Sequence, residues 1–234
     1  MQQRQKRRGR INMGEPAVLE TQTPTSFRIA ALVLAAGEAR RFGQPKQLLT
    51  LSSQPAHNGP TSSQPVSTTT SLVRHSVNQL QPLFPRSDCL VITGAYHEEV
   101  KNAVDEVATT LHHANWQEGL GSSLAAGVKA LNEQAPWDGI LVALADQPLL
   151  TTEDYRRLLY AFDGKRCVNA FYRDDSGVPA IFPAFCFEGL AELEGDKGAK
   201  ALLKAQSNRL ELSLPQAAMD IDTPEDWRAF HQGL

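Results

Sequence analysis

Two uninterrupted apolar runs of strand length, Ile29–Ala35 and Ile140–Ala145, constrain this chain more than any other feature. A half-buried strand alternates apolar and polar residues. A run without alternation has both faces covered, as in a parallel strand sandwiched between helices. Neither run approaches the ~20 residues that a bilayer span needs. Around them, helical stripes (Leu72, Val73, Val77, Leu80; Leu124, Val128, Leu131) alternate with strand-like segments such as Cys89–Ile92. Val100, Val104 and Val107 predict a helix leading into a short strand that ends at Leu111. The alternation continues through Ile181, Ala199–Leu203 and Leu210–Leu214. Thr151 or Thr152 is expected to cap a helix carrying Tyr155, Leu158 and Leu159, and Thr223-Pro224-Glu225-Asp226 opens a last one. The chain is therefore expected to be α/β, with right-handed crossovers and a mostly parallel sheet covered on both faces. Such sheets bind ligands at the carboxyl ends of their strands, so functional residues are sought just after the apolar runs.

The organisation follows from composition. At 234 residues one ordinary domain is expected, spanning 28–234. Residues 1–27 are polar and without periodicity, and read as a disordered basic leader: the first 14 hold five basic groups and no acid. Removing those five from the 23 Lys and Arg leaves 18 against 26 Asp and Glu, an acidic remainder that argues against a nucleic-acid binder. The stretch from about 52 to 70, rich in Ser, Thr, Pro and Gln, reads as a flexible surface insertion. Cys89, Cys167 and Cys186 form neither an even set nor a C-x-x-C pair, which fits a reducing cytoplasm. His112 and His113 would point to opposite faces of a strand, and no G-x-S-x-G elbow is present. A monomer without a membrane segment is expected.

The chemistry-bearing residues fall where the sheet argument puts them. After the first run, Ala35, Ala36 and Gly37 allow the backbone close to a planar base or a phosphate, and Arg41 and Lys46 add two cations to the same loop. The G-x-x-x-x-G-K-[ST] order is missing, so this is not a Walker loop, and an ordinary βα turn with two surface cations would look alike. After the second run, Asp146-Gln147-Pro148 sets a carboxylate at a strand end, suited to a hard cation such as Mg²⁺. Asp220 and Asp222 lie on one side of an extended segment by period two, and either could be a second ligand. Ser122 and Ser123 are expected to open a helix, with one hydroxyl bonded at the site.

The run from Leu34 to Lys46 resembles the signature L-A-A-G-x-x-x-R-x-G-x-x-K of nucleoside-triphosphate transferases with the molybdenum cofactor cytidylyltransferase type of domain. The likeness extends from about residue 28 to 232 through Asn115-Trp116-x-x-Gly119, Gly177-Val178-Pro179, Gly195-Asp196-Lys197-Gly198-Ala199-Lys200 and Asp220-Ile221-Asp222-Thr223-Pro224. It implies a single Rossmann-like three-layer α/β/α domain. Leu34, Ala35, Ala36 and Gly37 would face the nucleotide, Arg41 and Lys46 the triphosphate, and Ser123 the base. Asp146, with Asp222 or Asp220, would hold the metal, and Arg41, Lys46 and Asp146 would serve catalysis. Gly177, Pro179, Asp196 and Lys200 would meet the acceptor. Val178 departs from the polar residue usual at its position, and Lys200 replaces an Arg, losing the bidentate fork.

The implied activity is a Mg²⁺-dependent transfer of CMP from CTP to the terminal phosphate of molybdopterin, with a molybdenum hydroxylase as eventual recipient. Ala36 stands where guanylyl-transferring relatives have Gly, which favours CTP over GTP. The alternatives are a transferase of the same fold acting on a sugar or polyol phosphate, and a non-catalytic nucleotide-binding delivery protein.

Overall fold

The computed structural model describes residues 27–53 and 68–232. In chain order the strands and helices are β1 (Ile29–Ala35), β2 (Thr50–Ser53), β3 (Thr68–Ser71), α1 (Leu72–Leu80), β4 (Cys89–Thr93), α2 (His97–Val104), β5 (Thr109–His112) and α3 (Leu120–Gln134). They continue with β6 (Gly139–Leu144), α4 (Thr152–Ala161), β7 (Val168–Tyr172), β8 (Asp175–Pro183), α5 (Phe187–Ala191), α6 (Ala199–Ala205), β9 (Leu210–Ser213) and α7 (Pro224–Gln232). Seven strands form one sheet in the order β5-β4-β1-β6-β8-β7-β9. Among the described residues, no helix is long and apolar enough to cross a membrane.

The apolar runs are buried as their lack of alternation requires, and the residues of β1 divide by period two. Ala31, Val33 and Ala35 pack with Val73 and Val77 of α1, Val100 and Val104 of α2, and Tyr155 and Leu158 of α4. Ala30, Leu32 and Leu34 pack with Leu124, Val128 and Leu131 of α3, Leu190 of α5 and Leu203 of α6. These two apolar layers make the molecule an α/β/α sandwich with a mostly parallel sheet.

One strand runs against the rest. β8 pairs antiparallel with both β6 and β7, whereas the other pairings in the large sheet are parallel. The reason is the turn between β7 and β8, where Arg173 and Asp174 have φ of 50° and 56°. Positive φ at both central residues is the primed two-residue hairpin geometry, and a hairpin reverses the chain without a crossover.

The helix starts combine agreement with one correction. Thr151 caps α4 in a capping box with Asp154. At α3, however, the residue before the first turn is Gly119, with φ of 120°, and neither Ser122 nor Ser123 occupies that place. Ser122 and Ser123 lie one turn in, where Ser123 Oγ donates back to the Gly119 carbonyl at 3.3 Å and Ser122 Oγ to Glu118 Oε2 at 2.8 Å.

Order extends slightly beyond the domain start expected at 28. The Phe27 ring packs edge-on against Phe162 at 5.2 Å. The expected leader otherwise lies outside the described residues, as does 54–67 of the polar insertion. The ends of that insertion, β2 and β3, pair antiparallel from Thr50↔Ser71 to Ser53↔Thr68. A third apolar cluster of Phe42, Leu49, Leu51, Leu72, Ile221 and Phe230 ties this hairpin to the loop after β1 and to α7.

Candidate active site

The topology brings three distant stretches to one rim. β1 and β6 are neighbours in register, with Leu34 opposite Leu144, so the loops after both strands leave side by side. The Ala145 amide donates to the Leu34 carbonyl at 3.2 Å, and the Ile221 amide donates to the Asp146 carbonyl at 2.9 Å. The second bond fixes the C-terminal acidic stretch beside the end of β6.

A cavity of about 490 Å³ opens there, lined by Leu34, Ala35, Ala36, Gly37, Arg41, Lys46, Ser123, Asp146 and Asp222, with Trp116, Gly119, Leu120 and Asp196 among its further walls. The expected nucleotide-facing residues therefore share one space. Lys46 Nζ lies 2.6 Å from Asp146 Oδ2 and 2.7 Å from Asp222 Oδ1. Burial works to lower the Lys46 pKa, but the two carboxylates outweigh it and hold the ammonium above the ordinary lysine value. Arg41 is mostly exposed, its Nη1 3.8 Å from Asp222 Oδ2, and at such a distance on the surface the pair is weak and free to swing.

Asp146 Oδ1 is buried with no hydrogen-bond partner among the described residues. An orphaned carboxylate oxygen beside a second carboxylate is a hard-oxygen donor set that fits Mg²⁺ or Mn²⁺. No group of three or more His, Cys, Asp or Glu is arranged to hold a metal among the described residues. Asp220 Oδ1 is buried and orphaned in the same way, so the fit is to a cation held by Asp146 with Asp222 or Asp220, the remaining positions left to substrate oxygens and water.

Asp220 parts company with Asp222. It lines a second cavity of about 470 Å³, together with Gly177, Asp196, Lys200, Tyr172, Arg173 and Asp175. Burial, followed by the nearby Asp146 charge, raises its pKa to about 6. Of the four expected acceptor residues, Gly177, Asp196 and Lys200 line this space, while Pro179 is buried in β8 and is not among its walls. Lys200 Nζ sits 2.7 Å from Asp175 Oδ2, and hydrogen bonds from Lys200 and Lys204 bring the Asp175 pKa to about 2. Leu34, Leu120, Leu144 and Asp196 border both cavities.

Two glutamines escaped the sequence reading. Gln47 Nε2 donates to the Gly37 carbonyl at 2.6 Å and holds the small-residue loop. Gln147 Nε2 donates to the Ala217 carbonyl at 2.8 Å and so helps seat the 3₁₀ turn Pro215–Ala218 before Asp220. Each adjoins a charged site residue, Lys46 or Asp146, and that adjacency was the available signal.

Comparison with known proteins agrees with this fold. Residues 31–210 match the MobA-like NTP transferase domain. Purine catabolism protein PucB of Bacillus subtilis (strain 168) is 32% identical over 115 residues, covering 47% of this chain and 55% of PucB. The chain thus spans about half the length of that curated relative. Among solved structures, Rv0371c from Mycobacterium tuberculosis H37Rv superposes with a TM-score of 0.68 at 26% identity, over 89% of this chain and 99% of that one. The same mycobacterial protein in complex with manganese gives a TM-score of 0.65 at 24% identity, over 89% and 100% of the two chains. A nucleotidyl transferase from Methanothermobacter thermautotroptrophicus shares the fold with a TM-score of 0.66 at 23% identity, over 88% and 97%.

Proposed function

The chain belongs to the MobA-like NTP transferase domain family, and on that footing we propose that it transfers CMP from CTP to the terminal phosphate of a molybdopterin-type cofactor, releasing pyrophosphate. The observation that carries the proposal is the Lys46 ammonium gripped by Asp146 and Asp222 beside the Leu34–Gly37 backbone. A cation that close to two acids, in a cavity open to a small backbone loop, suits a triphosphate whose negative charge must be balanced in place.

The reaction asks little covalent chemistry of the protein. A phosphate monoester is largely ionised at pH 7, so it can attack the α-phosphate in line without a general base. In this reading Lys46 and Arg41 bind the triphosphate oxygens, and Arg41, exposed and only weakly paired, closes onto them. Leu34 to Gly37 and Ser123 receive the nucleoside, while Gly177, Asp196 and Lys200 receive the acceptor. Asp146 and Asp222 would hold a divalent cation, Mg²⁺ as the proposed species, which when bound supplies charge neutralisation at the reacting phosphates. The manganese complex of the similar mycobacterial protein supports a metal of this class.

One observation favours this acceptor over a sugar or polyol phosphate. Leu34, Leu120, Leu124, Val142, Leu144 and Val178 line the acceptor cavity, and an apolar wall suits a fused-ring acceptor better than one bearing many hydroxyls. On the nucleotide side, the resemblance at Ala36 favours CTP over GTP. A molybdenum hydroxylase is the proposed recipient, and a cytoplasmic monomer the proposed form.

The test is pyrophosphate release from each of the four ribonucleoside triphosphates, with molybdopterin-type, sugar-phosphate and polyol-phosphate acceptors and Mg²⁺. Release with CTP and the molybdopterin-type acceptor is the expected result. Release with a sugar or polyol phosphate alone transfers the reading to the rival enzyme. Tight CTP binding without release under any metal identifies a delivery protein.

A further inference from the structure

One wall of the nucleotide cavity is aromatic. Trp116 lines it from the 3₁₀ turn Trp116–Glu118 that precedes α3. Its indole is half-buried and packs against the apolar cluster holding Leu34 and Ala36, two residues that line the same cavity. Behind it stands Gly94, just after β4. A Cβ added to Gly94 would lie 2.6 Å from Trp116 Cγ, 2.7 Å from its Cβ and 2.4 Å from the Ala36 carbonyl oxygen. Gly94 is not among the glycines with positive φ, so its backbone does not call for glycine. What calls for glycine is space: the indole and the Ala36 backbone meet where a side chain would be.

The cavity is therefore chemically divided. Arg41, Lys46 and the two carboxylates supply charge, whereas Leu34, Ala36 and Trp116 supply an apolar wall that includes an aromatic ring. A nucleoside triphosphate has the matching division, an anionic tail and a planar base. We propose that Trp116 forms the wall of the nucleobase subsite, with Gly94 as the positioning residue that lets the indole reach it. This assignment rests on the nucleotide-transfer reading. Base–aromatic stacking is strong enough to change affinity about tenfold per base, and it tolerates any base.

The experiment measures calorimetric affinities of the full chain for CTP, GTP and inorganic tripolyphosphate, which lacks a base, all with Mg²⁺. Trp116→Leu is expected to weaken CTP and GTP about tenfold while leaving tripolyphosphate within about twofold. Gly94→Ala, by crowding the indole, is expected to act in the same direction. Trp116→Phe keeps a stacking ring and is expected to hold affinity within about threefold, but to lose any quenching of tryptophan fluorescence by nucleotide. Unchanged CTP affinity in Trp116→Leu overturns the assignment, as does equal weakening of CTP and tripolyphosphate. Should Trp116→Leu not fold, a quench that survives in Trp116→Phe overturns it instead. A wild-type chain that binds neither CTP nor GTP more tightly than tripolyphosphate overturns the underlying nucleotide-transfer proposal, and this inference with it.

Discussion

The Lys46 ammonium lies 2.6 Å from the Asp146 carboxylate although 100 residues separate them in the chain. Only the pairing of β1 with β6 makes that contact possible, because the two strands deliver their following loops to the same rim. Asp146→Asn should therefore act on chemistry far more than on folding. The amide keeps the shape, and Lys46 keeps Asp222 as a charged partner at 2.7 Å. Turnover is expected to fall by about two orders of magnitude or more, with the thermal unfolding midpoint within about 5 °C of wild type. Near-normal pyrophosphate release from Asp146→Asn would remove this carboxylate from the mechanism.

Asp226 carries a pH-dependent share of stability into the same site. Its Oδ2 accepts from the Thr223 hydroxyl at 2.8 Å, the Thr223 amide at 2.8 Å and the Asp222 amide at 3.1 Å, and its own amide donates to Thr223 Oγ1 at 3.2 Å. The hydrogen bond from the Thr223 side chain leads in holding its carboxyl below the ordinary range. A lowered folded pKa gives stability that is present above the unfolded value of ~3.9 and is lost as pH falls through the folded one. Asp226→Asn should cost about 1 kcal/mol at pH 7, the usual scale of a lost helix cap, and should lose less than wild type between pH 5 and 3. Chemical denaturation across that range checks both, and parallel acid limbs would refute the assignment.

The legible parts of the molecule were those fixed by local physics. The unalternating runs of β1 and β6 announced burial on both faces, and Thr151 and Thr223 announced helix starts through their own hydroxyls. Residues that act through partners far along the chain were harder to read. Gln47 and Gln147 are ordinary polar residues until a carbonyl from another segment is set against them. The antiparallel β8 hid because its turn is Arg173-Asp174 rather than the usual Asn-Gly, so positive φ had no glycine to signal it. At α3 the serines drew the cap assignment, whereas Gly119 takes the position because a side chain there would lie 2.5 Å from the Gly195 backbone. The split between Asp220 and Asp222 was likewise beyond a period-two argument, since two cavities meet between them.

If Asp146 and Asp222 hold the cation as proposed, activity should depend on it in a specific way. EDTA should abolish pyrophosphate release, and Mg²⁺ or Mn²⁺ in excess should restore it, because the pair offers only hard oxygen donors. Asp222→Asn removes one of two anionic donors and should raise the Mg²⁺ concentration for half-maximal rate about tenfold or more. Asp220→Asn should leave that concentration within about threefold, since its carboxylate lines the other cavity. An equal response from the two variants would mean that the cation sits between them.

The acceptor side can be tested apart from the nucleotide side at Gly121. Its amide donates to the Gly195 carbonyl at 2.8 Å, and a Cβ on it would lie 2.6 Å from the Lys197 carbonyl oxygen and 2.9 Å from that of Gly195. Gly121 lies within α3 and has no positive φ, so an alanine is acceptable to the helix and even favours it by about 1 kcal/mol. The penalty falls instead on the 195–198 loop, which must move as backbone and carries Asp196 and Gly198 on the acceptor cavity just ahead of Lys200. Gly121→Ala should therefore raise the acceptor KM about tenfold. CTP affinity should stay within about threefold, because Lys46, Asp146 and Ala35–Gly37 are anchored by other strands. Steady-state kinetics with each substrate varied in turn distinguishes the two constants. A rise confined to the nucleotide constant would show that the 195–198 loop serves the triphosphate, and the division of labour between the cavities would have to be reversed.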